Sequence, residues 1–284
     1  FFDSGNRRAR RSRREFLPVG GRRRESIPFL RRRGIEGTFV PPLEQHDKHQ
    51  IGGLALFSIR IEQLNMLQQH VRMYSDDGRS ISTDGDGFAL TCSGEPHDNM
   101  VILKQESRFA MANDKCLTRV NVQIEQGIPL LPNWLLFNRV KLRVTQGRKL
   151  GPAFYLSSVS CGSMVGDMGP YQAFPVGGVG SVRGYGDGAV GSGRSFLVAN
   201  NELTAPLFDK SVEGAVFFDY GTDLGSGRLV PGNPSLRKGK PGSGFGYGYG
   251  IRFNLPFGQL KLDYSTNSFG HKTLYFAVAG ISSS

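Results

Sequence analysis

Between Gly244 and Leu255 the chain alternates strictly between small or polar residues and large apolar residues. Phe245, Tyr247, Tyr249, Ile251, Phe253 and Leu255 occupy one set of positions, and Gly244, Gly246, Gly248, Gly250, Arg252 and Asn254 occupy the other. Successive side chains of a β-strand point to opposite faces, so this segment is predicted to be a strand with one apolar face and one nearly bare face. Glycine weakens a strand interior, and four successive glycines on one face predict that another part of the protein approaches that face closely.

The same period of two residues recurs along most of the chain. Val120, Val122 and Ile124 alternate with polar residues, as do Val140, Leu142 and Val144. The pattern predicts strands centred near residues 59, 104, 122, 140, 156, 200, 217, 249, 262 and 276. An even number of strands is typical of a closed antiparallel barrel. The charges on the polar faces favour a wide, water-filled interior, because a small soluble barrel fills its inside with apolar side chains.

The chain contains no run of 18 or more apolar residues, so no transmembrane helix is predicted. A transmembrane β-strand needs only about 9 to 11 residues with every second one apolar. The aromatic face of residues 244–255 suits lipid, and we expect Phe245, Tyr247, Tyr249, Ile251 and Phe253 to contact it. The predicted fold class is therefore all-β, an antiparallel transmembrane β-barrel with about ten strands in this chain, either complete or part of a larger barrel.

The positive charge of the chain is concentrated at its start. Of the formal net charge of +11, residues 1–33 contribute most, because they hold 12 arginines and only Asp3, Glu15 and Glu25 as acids. High charge with little apolar periodicity predicts a disordered basic leader and linker over residues 1–50, followed by a barrel domain over residues 51–284. No aromatic residues interleave with the arginines as stacking platforms, so no nucleic-acid partner is predicted.

The residues that could carry chemistry form no recognisable constellation. Cys92, Cys116 and Cys161 are odd in number and widely spaced, which argues against a disulfide framework and against a zinc site. The Ser, His, Asp and Glu residues show no spacing that pairs a nucleophile with a base. We therefore expect no catalytic residue, no metal and no cofactor, and a protein that is not an enzyme.

A long glycine-rich connection is predicted between the strands near residues 156 and 200. It runs from Ser160 to Gly193, and its centre contains Val182, Arg183, Gly184 and Tyr185. Connections of this length inside a compact architecture are usually functional. The glycines do not form a phosphate-binding loop, because no Lys-Ser/Thr pair follows them and no helix is predicted after them.

Three motifs in this order resemble the bacterial surface antigen family of outer-membrane pores. Residues 182–185 are similar to the signature tetrapeptide at the tip of the sixth extracellular loop, which folds back into the lumen. Residues 217–221, with Phe217, Asp219 and Gly221, are similar to the family's aromatic-x-Asp-x-Gly strand motif, and residues 248–264 are similar to its penultimate strands. The surrounding sequence most resembles small plant chloroplast outer-envelope members, which lack the soluble polypeptide-transport-associated (POTRA) domains.

The resemblance implies that Arg183 reaches an acidic partner on the barrel wall. If Val216, Phe218 and Tyr220 face lipid, strand parity places Asp219 in the lumen, where a bidentate bond to the guanidinium would fix the loop tip. Glu202, on the face opposite Leu203, is the second candidate partner. The glycine face over residues 244–250 would provide the space. The alternative is that these charges are ordinary pore-lining residues.

The resemblance also implies a function and a location. The family inserts polypeptides into an outer membrane or translocates them across it, so we expect an integral protein of the chloroplast outer envelope. Its partners would be membrane lipids, inserting or translocating polypeptides, and other subunits of the envelope translocon. A passive solute or ion channel remains the alternative, because any open polar barrel can conduct solutes.

Overall fold

The computed structural model describes residues 56–74, 78–113, 115–207, 211–232, 239–255 and 258–280. Residues 56–65, 279 and 280 are described by their strand pairing alone. The predicted basic leader, and the domain boundary expected near residue 50, lie outside the described residues.

In the described part of the chain, ten long strands form one antiparallel sheet, in which strands that follow one another in this set are also neighbours in space. Each of the ten predicted strand centres falls inside one of them, so the all-β prediction and the strand count are confirmed. Two further short strands, β6 and β7, form a separate hairpin inside the connection between β5 and β8. The strands are β1 (Leu56–Arg72), β2 (His97–Ala112), β3 (Cys116–Ile128), β4 (Phe137–Leu150), β5 (Ala153–Gly166), β6 (Phe174–Val176), β7 (Gly191–Gly193), β8 (Ser195–Pro206), β9 (Val212–Thr222), β10 (Ser243–Leu255), β11 (Gly258–Asn267) and β12 (Lys272–Gly280).

The two faces of the sheet differ as the period of two residues predicts. On β9, Val216 and Phe218 are about half exposed, whereas Phe217 and Asp219 are buried. We call the side that carries Asp219 the inner face and the opposite side the outer face. Exposed outer-face residues on β10 and β12 are Phe245, Tyr247, Tyr249, Ile251, Leu274, Phe276 and Val278. Such an apolar outer face is what lipid contact requires of a barrel wall.

The connections at the two ends of the sheet differ in length. Residues 151 and 152 join β4 to β5, and the connection between β2 and β3 is similarly short, whereas the connections that follow β1, β5 and β9 at the other end are much longer. We call these the turn end and the loop end. Outer-membrane barrels show the same asymmetry. No helix in the described part of the chain is long and apolar enough to cross a bilayer.

The long connection begins later than the sequence predicts. We expected it to start at Ser160, but β5 continues to Gly166, and the loop spans residues 167–194. Residues 160–163 are small and lack an apolar alternation, so their strand character is invisible in the hydropathy pattern. Pairing supplies it instead, since these residues bond to β4 on one side and to β8 on the other.

A hydrophobic core fills the loop end of the inner face. Its buried members come partly from strand ends, such as Met100 and Phe196, and partly from loops, such as Met168 and Val230. Val182 and Tyr185 of the long loop belong to the same cluster. The loop is therefore packed as core, and the burial of these side chains holds it against the sheet.

Candidate functional site

The tip of the long loop lies on the inner face, against β8 to β12. Val182, Arg183 and Tyr185 are all buried. The tip is shaped by the β6–β7 hairpin and by a turn in which Ser181 N donates to Gly178 O at 3.0 Å and Gly178 N donates to Val182 O at 3.1 Å. The expected fold of the loop onto the inner face is thus a property of the described structure.

Arg183 and Asp219 meet in a bidentate ion pair. Nε of Arg183 donates to Oδ2 of Asp219 at 2.7 Å, and Nη2 donates to Oδ1 at 2.9 Å. The backbone N–H of Arg183 also donates to Oδ2, at 3.2 Å. The Asp219 side chain is fully buried. Because a bidentate pair fixes direction as well as distance, this contact defines the position of the loop tip against β9.

Two further carboxylates and one aromatic ring surround the guanidinium of Arg183. Its Nη1 donates to Glu202 Oε2 on β8 at 2.8 Å and to Asp263 Oδ2 on β11 at 3.2 Å. Its carbon Cζ lies 3.5 Å from the centre of the Phe217 ring, a cation–π contact. Phe217, predicted only as part of a strand motif, therefore forms the floor on which the guanidinium rests.

Arg252 is a second buried cation in the same network. Its Nη2 donates to Glu202 Oε1 at 3.0 Å, and its Nη1 donates to Asp263 Oδ1. Two arginines are thereby joined to three carboxylates, those of Glu202, Asp219 and Asp263. From the sequence pattern, Arg252 is predicted only to lie on the glycine face, without a role of its own. Parity alone would have pointed both Arg252 and Asp263 inward.

The glycine face is where the loop tip approaches the sheet. A Cβ atom on Gly244 would lie 2.7 Å from the Tyr185 hydroxyl, and a Cβ on Gly246 would collide with the carbonyl oxygen of Arg183. On β9, a Cβ on Gly221 would lie 2.6 Å from a methyl group of Val182. These glycines give the loop backbone room to approach, which is the close contact that the sequence pattern predicts.

Gly248 and Gly250 provide the same room deeper in the sheet. A Cβ on Gly248 would lie 2.8 Å from the ring of Phe217, and one on Gly250 would lie 2.7 Å from Nη1 of Arg252 and collide with the Asp263 carboxylate. Their absent side chains leave the space in which the ion network sits.

The backbone of the loop tip is bound on its other side by β11, β12 and their connection. The Tyr275 hydroxyl accepts from Gly184 N and donates to Tyr185 O, both at 2.9 Å. Asn267 donates to Gly184 O at 3.0 Å. Gly184 has φ +95° and packs against Asn267, so a side chain there would be strained. Sequence reasoning missed Tyr275 and Asn267, which no motif marks.

Asp98, at the start of β2, forms a second polar centre at the loop end. Its buried carboxylate accepts from Cys92 N and Ser93 N at 2.9 Å each, and from the Tyr171 hydroxyl at 3.0 Å. Burial and the neighbouring Asp98 charge raise the pKa of Tyr171. This centre joins the connection between β1 and β2 to the start of the long loop, far along the sheet from Arg183.

Comparison with known proteins identifies the family. The Omp85 superfamily domain matches residues 99–276, a range that contains Arg183 and all three of its carboxylate partners. The chain belongs to the Omp85 superfamily. It is 62% identical over 216 residues to outer envelope protein 39 of Arabidopsis thaliana, covering 76% of this chain and 59% of that protein. It is 50% identical over 254 residues to outer envelope protein 36 of the same plant, covering 78% of each.

A solved structure supports the same fold. BamA from Haemophilus ducreyi lacking POTRA domains 1–3 superposes with a TM-score of 0.54 over 78% of this chain and 50% of that chain, at 14% identity. The ten strands of the described residues thus share the antiparallel fold of the BamA β-barrel wall. The chain's relatives from the chloroplast outer envelope place it in the chloroplast outer envelope membrane, as predicted.

Proposed function

We propose that this Omp85 chain helps polypeptides insert into or cross the plastid outer membrane, with the long loop seated by Arg183 as its working element. The observation that carries the proposal is the ion network of Arg183 and Arg252 with Glu202, Asp219 and Asp263, which we call the seat. A loop tip bound by one arginine to three carboxylates on three different strands couples β8, β9 and β11 to a segment inside the barrel wall. Inserting polypeptides and other envelope subunits would be its partners.

The seat is suited to holding the strands of the barrel wall in fixed relative positions. Ion pairs and hydrogen bonds fix direction more tightly than apolar packing does, so the loop holds the relative positions of the strands that it joins. A polypeptide that passes along the inner face would meet this loop first, since the loop occupies that face at the loop end.

A passive solute or ion channel is the second candidate. It is favoured by the inner face of β2 to β4, which carries charged and amide side chains such as Lys141, Arg143 and Gln123 in place of a packed apolar core. A surface of this kind suits a water-filled passage. The two functions differ in what they require of the loop, because solute flux through an open lumen needs no ordered tip.

Reconstitution of the full chain in liposomes distinguishes the two. We expect added protein to increase the protease-protected fraction of a radiolabelled outer-envelope β-barrel precursor, and Arg183→Ala to reduce this gain. Arg148→Ala, which removes an exposed arginine near the turn end of β4, is the matched control and should leave the gain unchanged. Solute flux without any gain in precursor insertion would reject the proposal in favour of the passive channel.

A further inference from the structure

The inner face of β2 to β4 carries more cations than carboxylates. Within residues 101–128 of β2 and β3 and residues 137–145 of β4, strand pairing places six cations on this face, with Glu106 and Glu125 as the acids. We call these six cations the basic strip; they are Lys104, Arg108, Arg119, Arg139, Lys141 and Arg143. The long-loop seat has the opposite balance, with two arginines against three carboxylates. The inner face is therefore electrostatically divided.

The two carboxylates beside the basic strip, Glu106 and Glu125, already bind cations. Glu125 binds Arg139 at 3.0 Å and Lys104 at 3.7 Å. Glu106 binds Arg108 at 2.9 Å and accepts from the side-chain amide of Asn121 at 3.2 Å. They therefore neutralise Lys104 and Arg108 on β2 and Arg139 on β4, and no carboxylate in the part of the chain that the structure describes forms a salt bridge with the cations in the middle of β4.

The cations that remain are Arg119 on β3 and, on β4, Lys141 and Arg143, and the cavity described below lies at the pair on β4. No carboxylate among the described residues forms a salt bridge with either one, and the side-chain contact of Arg143 is donation from Nε to the Ser160 hydroxyl at 2.8 Å. The two stand on the same face of β4, two residues apart, which separates their backbones by about 7 Å. Like charges at this spacing repel each other, and an anion between them would relieve the repulsion.

A cavity lies at these two cations. Lys141, Arg143, Asn121 and Gln123 line a space of about 100 Å³ on the inner face. This is enough for several water molecules, or for one oxyanion with part of its hydration shell. The lining thus combines two cations that form no salt bridge among the described residues with two amide groups, of which Asn121 already donates one hydrogen bond to Glu106. The two positive charges favour a carboxylate or phosphate ligand.

We propose that this cavity, between Lys141 and Arg143 on β4, binds an oxyanion. The ligand chemistry is a carboxylate or phosphate group, carried either by a small solute or by an acidic stretch of a polypeptide inside the barrel. The site does not depend on the proposed insertion function, since an oxyanion can enter the lumen of any open pore. If the ligand is an acidic polypeptide segment, the basic strip supplies further cations along its path.

Equilibrium binding to the detergent-solubilised full chain at low ionic strength tests this site with two probes. One is inorganic phosphate, and the other is a fluorescent glutamate-rich peptide compared with its glutamine counterpart. We expect the K141Q/R143Q double variant to bind the probes about tenfold more weakly than the wild-type chain, because two charge contacts are lost. Binding of phosphate alone would assign the site to small anions, and preference for the glutamate peptide would assign it to polypeptides.

The matched control removes two cations elsewhere. Lys115 and Lys149 are exposed and lie near the turn end, away from the cavity. The K115Q/K149Q variant should retain wild-type affinity. An equal loss in both double variants would show that binding follows net charge alone and would overturn the proposal. So would wild-type affinity in the K141Q/R143Q variant, or failure of the folded wild-type chain to bind either probe.

Discussion

Arg183 and Arg252 share two carboxylates. Glu202 accepts from Arg183 through Oε2 and from Arg252 through Oε1, and Asp263 is shared in the same way through its two oxygens. Asp219 belongs to Arg183 alone in this network. Each shared carboxylate thus keeps one cation if either arginine is lost. The arrangement makes the two arginines partly interchangeable as counter-charges, although only Arg183 comes from the loop.

Removal of either member of the Arg183–Asp219 pair should destabilise the protein. Arg183→Ala leaves the buried Asp219 carboxylate without a counter-charge, for which we expect a loss of about 3 to 5 kcal/mol in the free energy of unfolding. Asp219→Ala removes the bidentate bond but leaves Arg183 bound to Glu202 and Asp263, so its loss should be smaller. The double variant should lose less than the sum, because the orphan carboxylate of Arg183→Ala is absent from it. Denaturant unfolding in lipid vesicles measures the cycle. Strict additivity of the two single losses would show that the two residues do not interact.

Arg183→Lys should recover only part of the stability that Arg183→Ala loses, because a lysine cannot form the bidentate bond.

The double-mutant cycle of Arg183 and Arg252 should show a coupling energy of the opposite sign. In either single alanine variant, the remaining arginine still neutralises Glu202 and Asp263. In the double variant, three carboxylates face one another on the inner face without either cation, so the loss should exceed the sum of the two single losses. The same unfolding assay gives this cycle. A double loss smaller than the sum would mean that the arginines act as one unit in a way that the shared carboxylates do not explain.

Gly246→Ala tests whether the loop tip needs the glycine face. The new methyl group would collide with the Arg183 carbonyl, so the tip must move away from β10. We expect a loss of about 1 to 3 kcal/mol, as for other overpacking changes, and faster proteolysis within residues 178–188. Gly180→Ala is the control, since a Cβ there meets no atom within 4 Å. Equal protease sensitivity of both variants would argue against the close approach.

Hydropathy alternation and one family resemblance predicted much of this molecule. The strand faces follow from residues such as Val216 and Phe218, whose positions alternate with inward residues on β9. The pairing of Arg183 with Asp219 and Glu202 could be anticipated because a loop motif and strand parity point to the same side of the wall.

Other parts of the site depend on pairing between strands, which a period of two residues does not specify. Parity turns Asp263 inward, but only the register that places it opposite Gly250 brings it to Arg252. The loop-end core is similarly hidden, because Met168 and Val230 come from segments without periodicity. Tyr275 lies beside apolar lipid-facing residues, and nothing in its sequence neighbourhood marks its hydroxyl as a ligand of the loop backbone.

The outer face of β10 should tolerate charge poorly in a bilayer. Tyr249 is 61% exposed near the middle of the strand, and Tyr249→Arg should cost about 2 to 4 kcal/mol in lipid vesicles. Leu229, also well exposed but located in the connection between β9 and β10, gives the control. Leu229→Arg should change the unfolding free energy little. Equal costs at both positions would contradict a lipid-facing assignment for Tyr249.

The Tyr171–Asp98 hydrogen bond should produce an alkaline dependence of stability. Burial and the Asp98 charge raise the pKa of Tyr171 above that of an exposed phenol, so the folded state binds this proton more tightly than the unfolded state does. The stability from this group is therefore fully present below the unfolded-state pKa of about 10, and it is lost as the pH rises towards the raised folded-state value.

Near neutral pH, Tyr171→Phe should lose about 1 kcal/mol relative to wild type. Above about pH 10 the difference should shrink, because wild type loses stability that the variant no longer has. Unfolding free energies measured from pH 7 to 11 check this, with Tyr74→Phe, at an exposed tyrosine, as the control. A difference between wild type and Tyr171→Phe that stays constant across this range would show that the phenol proton does not contribute as the geometry predicts.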